Sequence, residues 1–224
     1  MSTLNCRIAG LLAVLAAILL SIADISFLYS PKGGYESEEM LFLLDIPLWR
    51  LKLGHFLGVF ILPFYLFGYW IVYRALKPAG RWFSLPIFWI ITYGLIVGAV
   101  MHGSIAMYAI LMQEHEAAAN VEIGKVLSQL MKISLDLFEP FQATTFLSFG
   151  LTAIWYSVAV FFKQTLLPRW MAFLNTILLQ APIVAAYFLI PSIGNILMPA
   201  AMNIAHVVFF VLITIHTWNK SARL

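Results

Sequence analysis

Asp24, His55, His102, Glu139, Asn203 and His206 are the side chains of this sequence best suited to chemistry, because each stands within or at the edge of a long apolar run. Neutral imidazoles and carboxylates ligate zinc, and a site with three protein ligands keeps a position for a water of lowered pKa. Two imidazoles facing each other across a bundle can instead ligate a haem axially. Without any metal, an imidazole–carboxylate pair moves protons, in catalysis or in transport. The residue types do not choose among these cofactors or fix a metal. The catalytic candidates are His102, His206 and Asp24; the ligand-binding candidates are His55, Glu139 and Asn203. The plainer alternative is that each group only makes an interhelical hydrogen bond, worth about 0.6 kcal/mol and at most about 2.

His102 has the most informative surroundings. In Gly94-Leu-Ile-Val-Gly98-Ala-Val-Met-His102-Gly103-Ser-Ile-Ala106, helical spacing puts Gly94, Gly98, His102 and Ala106 on one face. That face lacks bulk, so a neighbouring helix can approach closely with one imidazole in the middle of the contact.

The elements that must position these groups follow from composition. Of 224 residues, 62% are hydrophobic and only 10% charged, with a mean hydropathy of +0.93. Several apolar runs are long enough to span a bilayer, so the expected fold is all-α: a polytopic membrane bundle in one domain over 1–224. Six spans are expected, at about 8–29, 52–75, 83–112, 138–162, 170–190 and 196–218. The first could be a cleaved signal, since Ser21-Ile22-Ala23 resembles a cleavage site, but the apolar stretch continues past Ala23.

Residues 30–51 read as a loop: a turn at Pro31-Lys32-Gly33-Gly34, an acidic patch at Glu36, Glu38 and Glu39, and an interfacial segment from Met40 to Trp49. The charged stretch from Glu114 to Asp136 reads as a separate surface helix. Pro140 suits the first turn of the fourth span, and Pro191 to Asn195 reads as a tight turn. Gln142, Thr145, Ser148, Thr152 and Tyr156 make a polar stripe, read first as helix packing. Trp49, Trp70, Trp82, Trp170 and Trp218 read as interfacial anchors.

With six spans, Arg7, Arg74, Lys77, Arg81, Lys163, Arg169, Lys220 and Arg223 fall on one side with no acid. The other side holds the five remaining basic residues and all ten acids. The positive-inside rule then makes both termini cytoplasmic. At ~1.5 Å per residue, Asp24, His102 and Asn203 share a height of roughly 22–28 Å above the cytoplasmic ends. His55 and Glu139 lie about 30 Å up or slightly more, and His206 about 18 Å. The polar groups therefore gather between the midplane and the outer face. The single cysteine, Cys6, allows no internal disulfide and no CxxC pair. Neither a zinc knuckle, an RNP-like motif, a long basic run nor GxSxG is present, so no nucleic-acid partner is expected.

Three pieces of text carry a resemblance: Gly54-His55-Phe-Leu-Gly58…Pro63-Phe-Tyr65…Gly68-Tyr69-Trp70, then Leu167-Pro168-Arg169-Trp170 with Asn175, then Pro199-Ala-Ala-Met-Asn203-Ile-Ala-His206. Together they resemble a bacterial family of small integral membrane proteins of unknown function, which implies a multi-pass protein of the bacterial inner membrane and no particular activity. A looser architectural likeness, a few spans with inward His, Glu and Asn, is to sterol isomerases of the emopamil-binding type; the spacing differs and no residue role transfers.

The expectation from sequence is a pocket in the outer half of the bundle that binds or acts on a lipid-like or small apolar ligand, with the lipid bilayer as its surroundings. An enzyme of this kind would be a membrane-embedded metal-assisted hydrolase or a proton-transfer enzyme. The alternatives are a proton-coupled small-molecule transporter, a haem-b carrier and a structural membrane subunit. The transporter is disfavoured by the lack of a clear inverted repeat.

Overall fold

A computed structural model describes residues 3–34 and 40–218. Glu36, Glu38, Glu39, Lys220 and Arg223, used above to read charge, lie outside the described residues. Among the described residues every regular element is helical. In chain order these are α1 (Thr3–Leu28), α2 (Leu48–Ile61), α3 (Tyr65–Leu76), α4 (Arg81–Ala117), α5 (Val121–Phe162), α6 (Ala181–Leu189), α7 (Pro191–Leu197) and α8 (Ala201–Thr217), joined in part by short 3-10 turns. Among the described residues, five helical stretches are long and apolar enough to cross a membrane: Leu4–Leu28, Leu48–Ala79, Arg81–Ala117, Val121–Phe162 and Pro191–Thr217.

The small stripe of α1 is its packing surface. Ala9, Ala13, Ala17, Leu20 and Asp24 are buried, while Leu4, Ile8, Leu11, Leu15, Ile18 and Ile22 face outward. Prolines account for the interruptions in two other stretches. Pro63 lacks the N–H an α-helix needs, and the chain passes through a 3-10 turn, Leu62–Phe64, between α2 and α3. Pro199 does the same between α7 and α8.

Helices α4 and α5 form the most extensive pairing. It depends on the glycines singled out above: a β-carbon at Gly94 would lie 2.6 Å from the Ser148 β-carbon, so any larger residue there would push the helices apart.

Four expectations are corrected here. The charged stretch after Met112 is not a separate surface helix. It is the end of α4 and the first part of α5, which starts where the Asn120 side chain accepts from the Glu122 and Ile123 N–H groups. Pro140 consequently lies inside α5 and not in a first turn. Residues 191–195 form the start of α7, with Pro191 at its first position, where a missing N–H costs nothing.

The expected fifth span, 170–190, is not one helix. It runs as a 3-10 turn (Arg169–Phe173), an irregular stretch, a second 3-10 turn (Leu178–Gln180) and α6. Asn175 supplies the reason: its Oδ1 accepts from the Ile177 and Leu178 N–H groups, an arrangement that competes with helix formation. Its Nδ2 donates to Ser157 Oγ, which donates to the Ala172 carbonyl, so α5 props up the broken backbone.

The two ends of the bundle differ in charge. At one end Arg7 stacks on Trp218, Lys163 lies over Phe83, and the Leu166 N–H bonds to the Ala75 carbonyl. Arg7, Arg74, Lys77, Arg81, Lys163 and Arg169, the described members of the basic set, lie at or next to these contacts. At the other end Arg50 donates to the Ile25, Ser26 and Tyr29 carbonyls, capping α1. There Gln113 donates to the Leu43 and Ile46 carbonyls, fastening the 3-10 turn Leu41–Asp45 to α4.

Candidate functional site

The polar groups on α1, α3, α4 and α8 converge toward the acidic end. Tyr65, the first residue after the Pro63 interruption, donates its hydroxyl to Asn203 Oδ1. Asn203 Nδ2 donates to Asp24 Oδ2 at 2.6 Å. The other carboxylate oxygen, Asp24 Oδ1, lies 3.7 Å from His102 Nε2, too far for a good hydrogen bond. The Asp24 and His102 side chains are each only 11% exposed. Asp24 Oδ1 and His102 Nδ1 are sealed from solvent and have no hydrogen-bond partner among the described residues. His102 fits because Gly58 faces its ring: a β-carbon there would come within 2.5 Å of Nδ1.

This chain of groups forms the polar end of a cavity of about 280 Å³. Asp24, His102 and Asn203 line it, and most of the remaining wall is apolar, including Phe27, Leu62, Met101, Phe138, Phe149 and Met198. Gln142 and Thr145 of the α5 polar stripe also face it, and Thr145 Oγ1 is buried without a partner. Gln180, from the broken fifth segment, completes the lining. A small apolar pocket with a few convergent polar groups is the form ligand sites commonly take.

The remaining candidates do not line this cavity. His206 is fully buried one layer away. Its Nδ1 lies 2.7 Å from the Met202 carbonyl and its Nε2 2.8 Å from the Tyr69 hydroxyl. A carbonyl only accepts, so Nδ1 carries the proton and Nε2 accepts from Tyr69. The rings of Tyr65, Phe149 and Phe210 enclose it, with centroids 4.8, 5.2 and 5.5 Å away. His55, on α2, packs edge-on to Phe56, and its buried Nδ1 has no partner. Glu139 is exposed on α5.

Tyr65 and Tyr69 are the residues that sequence reasoning left out. Their i, i+4 spacing on α3 matches the i, i+3 spacing of Asn203 and His206 on α8, giving two hydrogen-bonded rungs. That spacing was readable in the sequence, but a tyrosine in an apolar run looks like core.

The metal reading needs three grouped ligands. Among the described residues no three His, Cys, Asp or Glu side chains are grouped to hold an ion. An axial haem role for His206 meets a similar obstacle, since both of its nitrogens are already engaged.

Neither a curated protein nor a solved structure matches the chain. A family model does match, over residues 1–220, and the chain therefore belongs to DUF6796, a family of unknown function.

Proposed function

We propose that this is a multi-pass protein of the bacterial inner membrane whose cavity in the outer half binds a small amphiphile, a lipid-like molecule with one polar end. Six crossings are made by the five long apolar stretches and the broken segment 169–190, with both termini cytoplasmic. The charge asymmetry of the two ends supports this orientation. Irregular backbone is tolerated at membrane depth where protein satisfies it, and Asn175, Ser157 and Gln180 do so in the broken segment.

The observation that carries the binding reading is the unpaired Asp24 Oδ1 beside His102 at the polar end of an apolar cavity. Leaving a buried polar atom unmatched costs about 1–3 kcal/mol, and a ligand that supplies its partner recovers that cost. A hydroxyl or amide group at the polar end would meet the Asp24 and His102 side chains, each of which keeps 11% of its surface open. The apolar remainder of the ligand would lie against Met101, Phe149 and Met198.

The test is to extract detergent-purified protein with organic solvent and compare wild type with Met198→Trp by mass spectrometry. Tryptophan at 198 adds bulk to the cavity wall and leaves Asp24, His102 and Asn203 in place in the sequence. An amphiphile that is stoichiometric in wild type and depleted in the variant is expected. Identical extracts would contradict the proposal.

A further inference from the structure

We infer that the basic end of the bundle holds a phospholipid with an anionic headgroup, its phosphate against Arg74 and an acyl chain in the groove where α1, α3 and α4 meet. The inference rests on the membrane topology proposed above and is independent of the cavity at the acidic end.

The groove has a volume of about 490 Å³ and an apolar lining that includes Ile8, Leu12, Leu66, Phe67, Trp70 and Phe88. Trp70 joins the groove to the charge: the Arg74 guanidinium carbon stands 5.0 Å from the centre of its ring. Stacking occupies the face of a guanidinium and leaves its N–H edge free, the geometry that suits a phosphate. Arg74 Nε is sealed from solvent and has no hydrogen-bond acceptor. The rest of the half-buried guanidinium, stacked on Trp70 at the end of the groove, is the part a phosphate oxygen would meet.

The electrostatic setting favours an anion. Arg7, Lys77, Arg81 and Lys163 also lie over aromatic rings, those of Trp218, Tyr73, Trp82 and Phe83. Aromatic rings hold cations in place without neutralising them. Every acid of the sequence lies within 24–45 or 114–139, and among the described residues no ion pair involves these cations. An anion arriving at this end meets positive charge that no acid of the described residues neutralises. A free phosphate would supply the charge but gain nothing from the apolar groove beside Trp70; a phospholipid uses both.

Native mass spectrometry of the full chain in detergent, with phosphatidylglycerol or phosphatidylcholine added, tests this. Wild type should retain phosphatidylglycerol in preference to phosphatidylcholine. Arg74→Gln should weaken that retention about tenfold, on the scale of one lost charge-assisted phosphate contact. Arg169→Gln, which removes the same charge from an exposed position at the same end, should change it by no more than about twofold. Leu12→Trp, which fills the groove and leaves Arg74 in place, should also reduce retention, and it carries the test if Arg74→Gln fails to fold. Equal losses in Arg74→Gln and Arg169→Gln would overturn the inference in favour of diffuse charge. Equal retention of phosphatidylcholine, or displacement of phosphatidylglycerol by equimolar inorganic phosphate, would also overturn it. A chain that stays soluble without detergent would sink the topology instead, a result distinct from any of these.

Discussion

Asp24 and His206 are both buried ionisable residues, yet the binding proposal gives them opposite tasks. His206 has both ring nitrogens engaged and rings on several sides, the surroundings expected of a packing piece. Asp24 has one oxygen held by Asn203 and the other beside His102, without a hydrogen-bond partner among the described residues. Tyr69→Phe therefore removes the donor to His206 and is expected to lower stability by about 1 kcal/mol while leaving ligand retention unchanged. Asp24→Asn is expected to do the reverse, stripping the ligand at little cost in stability. Thermal unfolding in detergent, paired with the extraction described above, separates the two. Ligand loss in Tyr69→Phe with retention in Asp24→Asn would invert the assignment. Sequence spacing found three of the cavity's polar groups, Asp24, His102 and Asn203, from their common height along different helices. It grouped His206 with them because its expected height also lies between the midplane and the outer face, and only packing reveals that α8 turns from cavity to core between Asn203 and His206.

At the scale of elements, the broken segment 169–190 is the part of the fold that departs most from a simple bundle. Its backbone depends on Asn175, which meets two N–H groups and ties them to α5 through Ser157. Asn175→Ala should orphan both and lower stability by roughly 2–4 kcal/mol, whereas Asn175→Ser, which keeps a short uncharged acceptor for the backbone donors, should cost less. Unfolding of both variants alongside wild type checks the order, and an alanine variant as stable as wild type would refute the capping role. The long helices were legible because apolar runs and glycine spacing are local properties. The segment 170–190 was not, because its hydropathy matches that of a spanning helix and the decisive feature is one side chain competing for backbone donors. The continuity of α5 was hidden for a related reason. A charged stretch and an apolar one look like two elements, yet Asn120 starts a helix with no later break strong enough to stop it.

At the scale of the whole molecule, α5 alone shows how the bundle would sit in a bilayer. Its 42 residues extend about 63 Å, against roughly 40–45 Å for a bilayer with its headgroups. The excess lies at its N-terminal part, with the acids, so the α4–α5 hairpin would project from the acidic end. The cavity at Asp24 and His102 lies toward that end and the lipid groove at the other, which gives the two proposed sites different leaflets. Orientation is the claim on which both depend. Single cysteines placed in a Cys6→Ser background at Ser128, exposed on the α5 projection, and at Gln164, exposed at the basic end, report it directly. With a membrane-impermeant maleimide applied to intact cells whose inner membrane is accessible, the cysteine at 128 should label at once. The one at 164 should label only after the membrane is opened. Labelling at 164 first, or equal labelling of both before opening, would contradict the account.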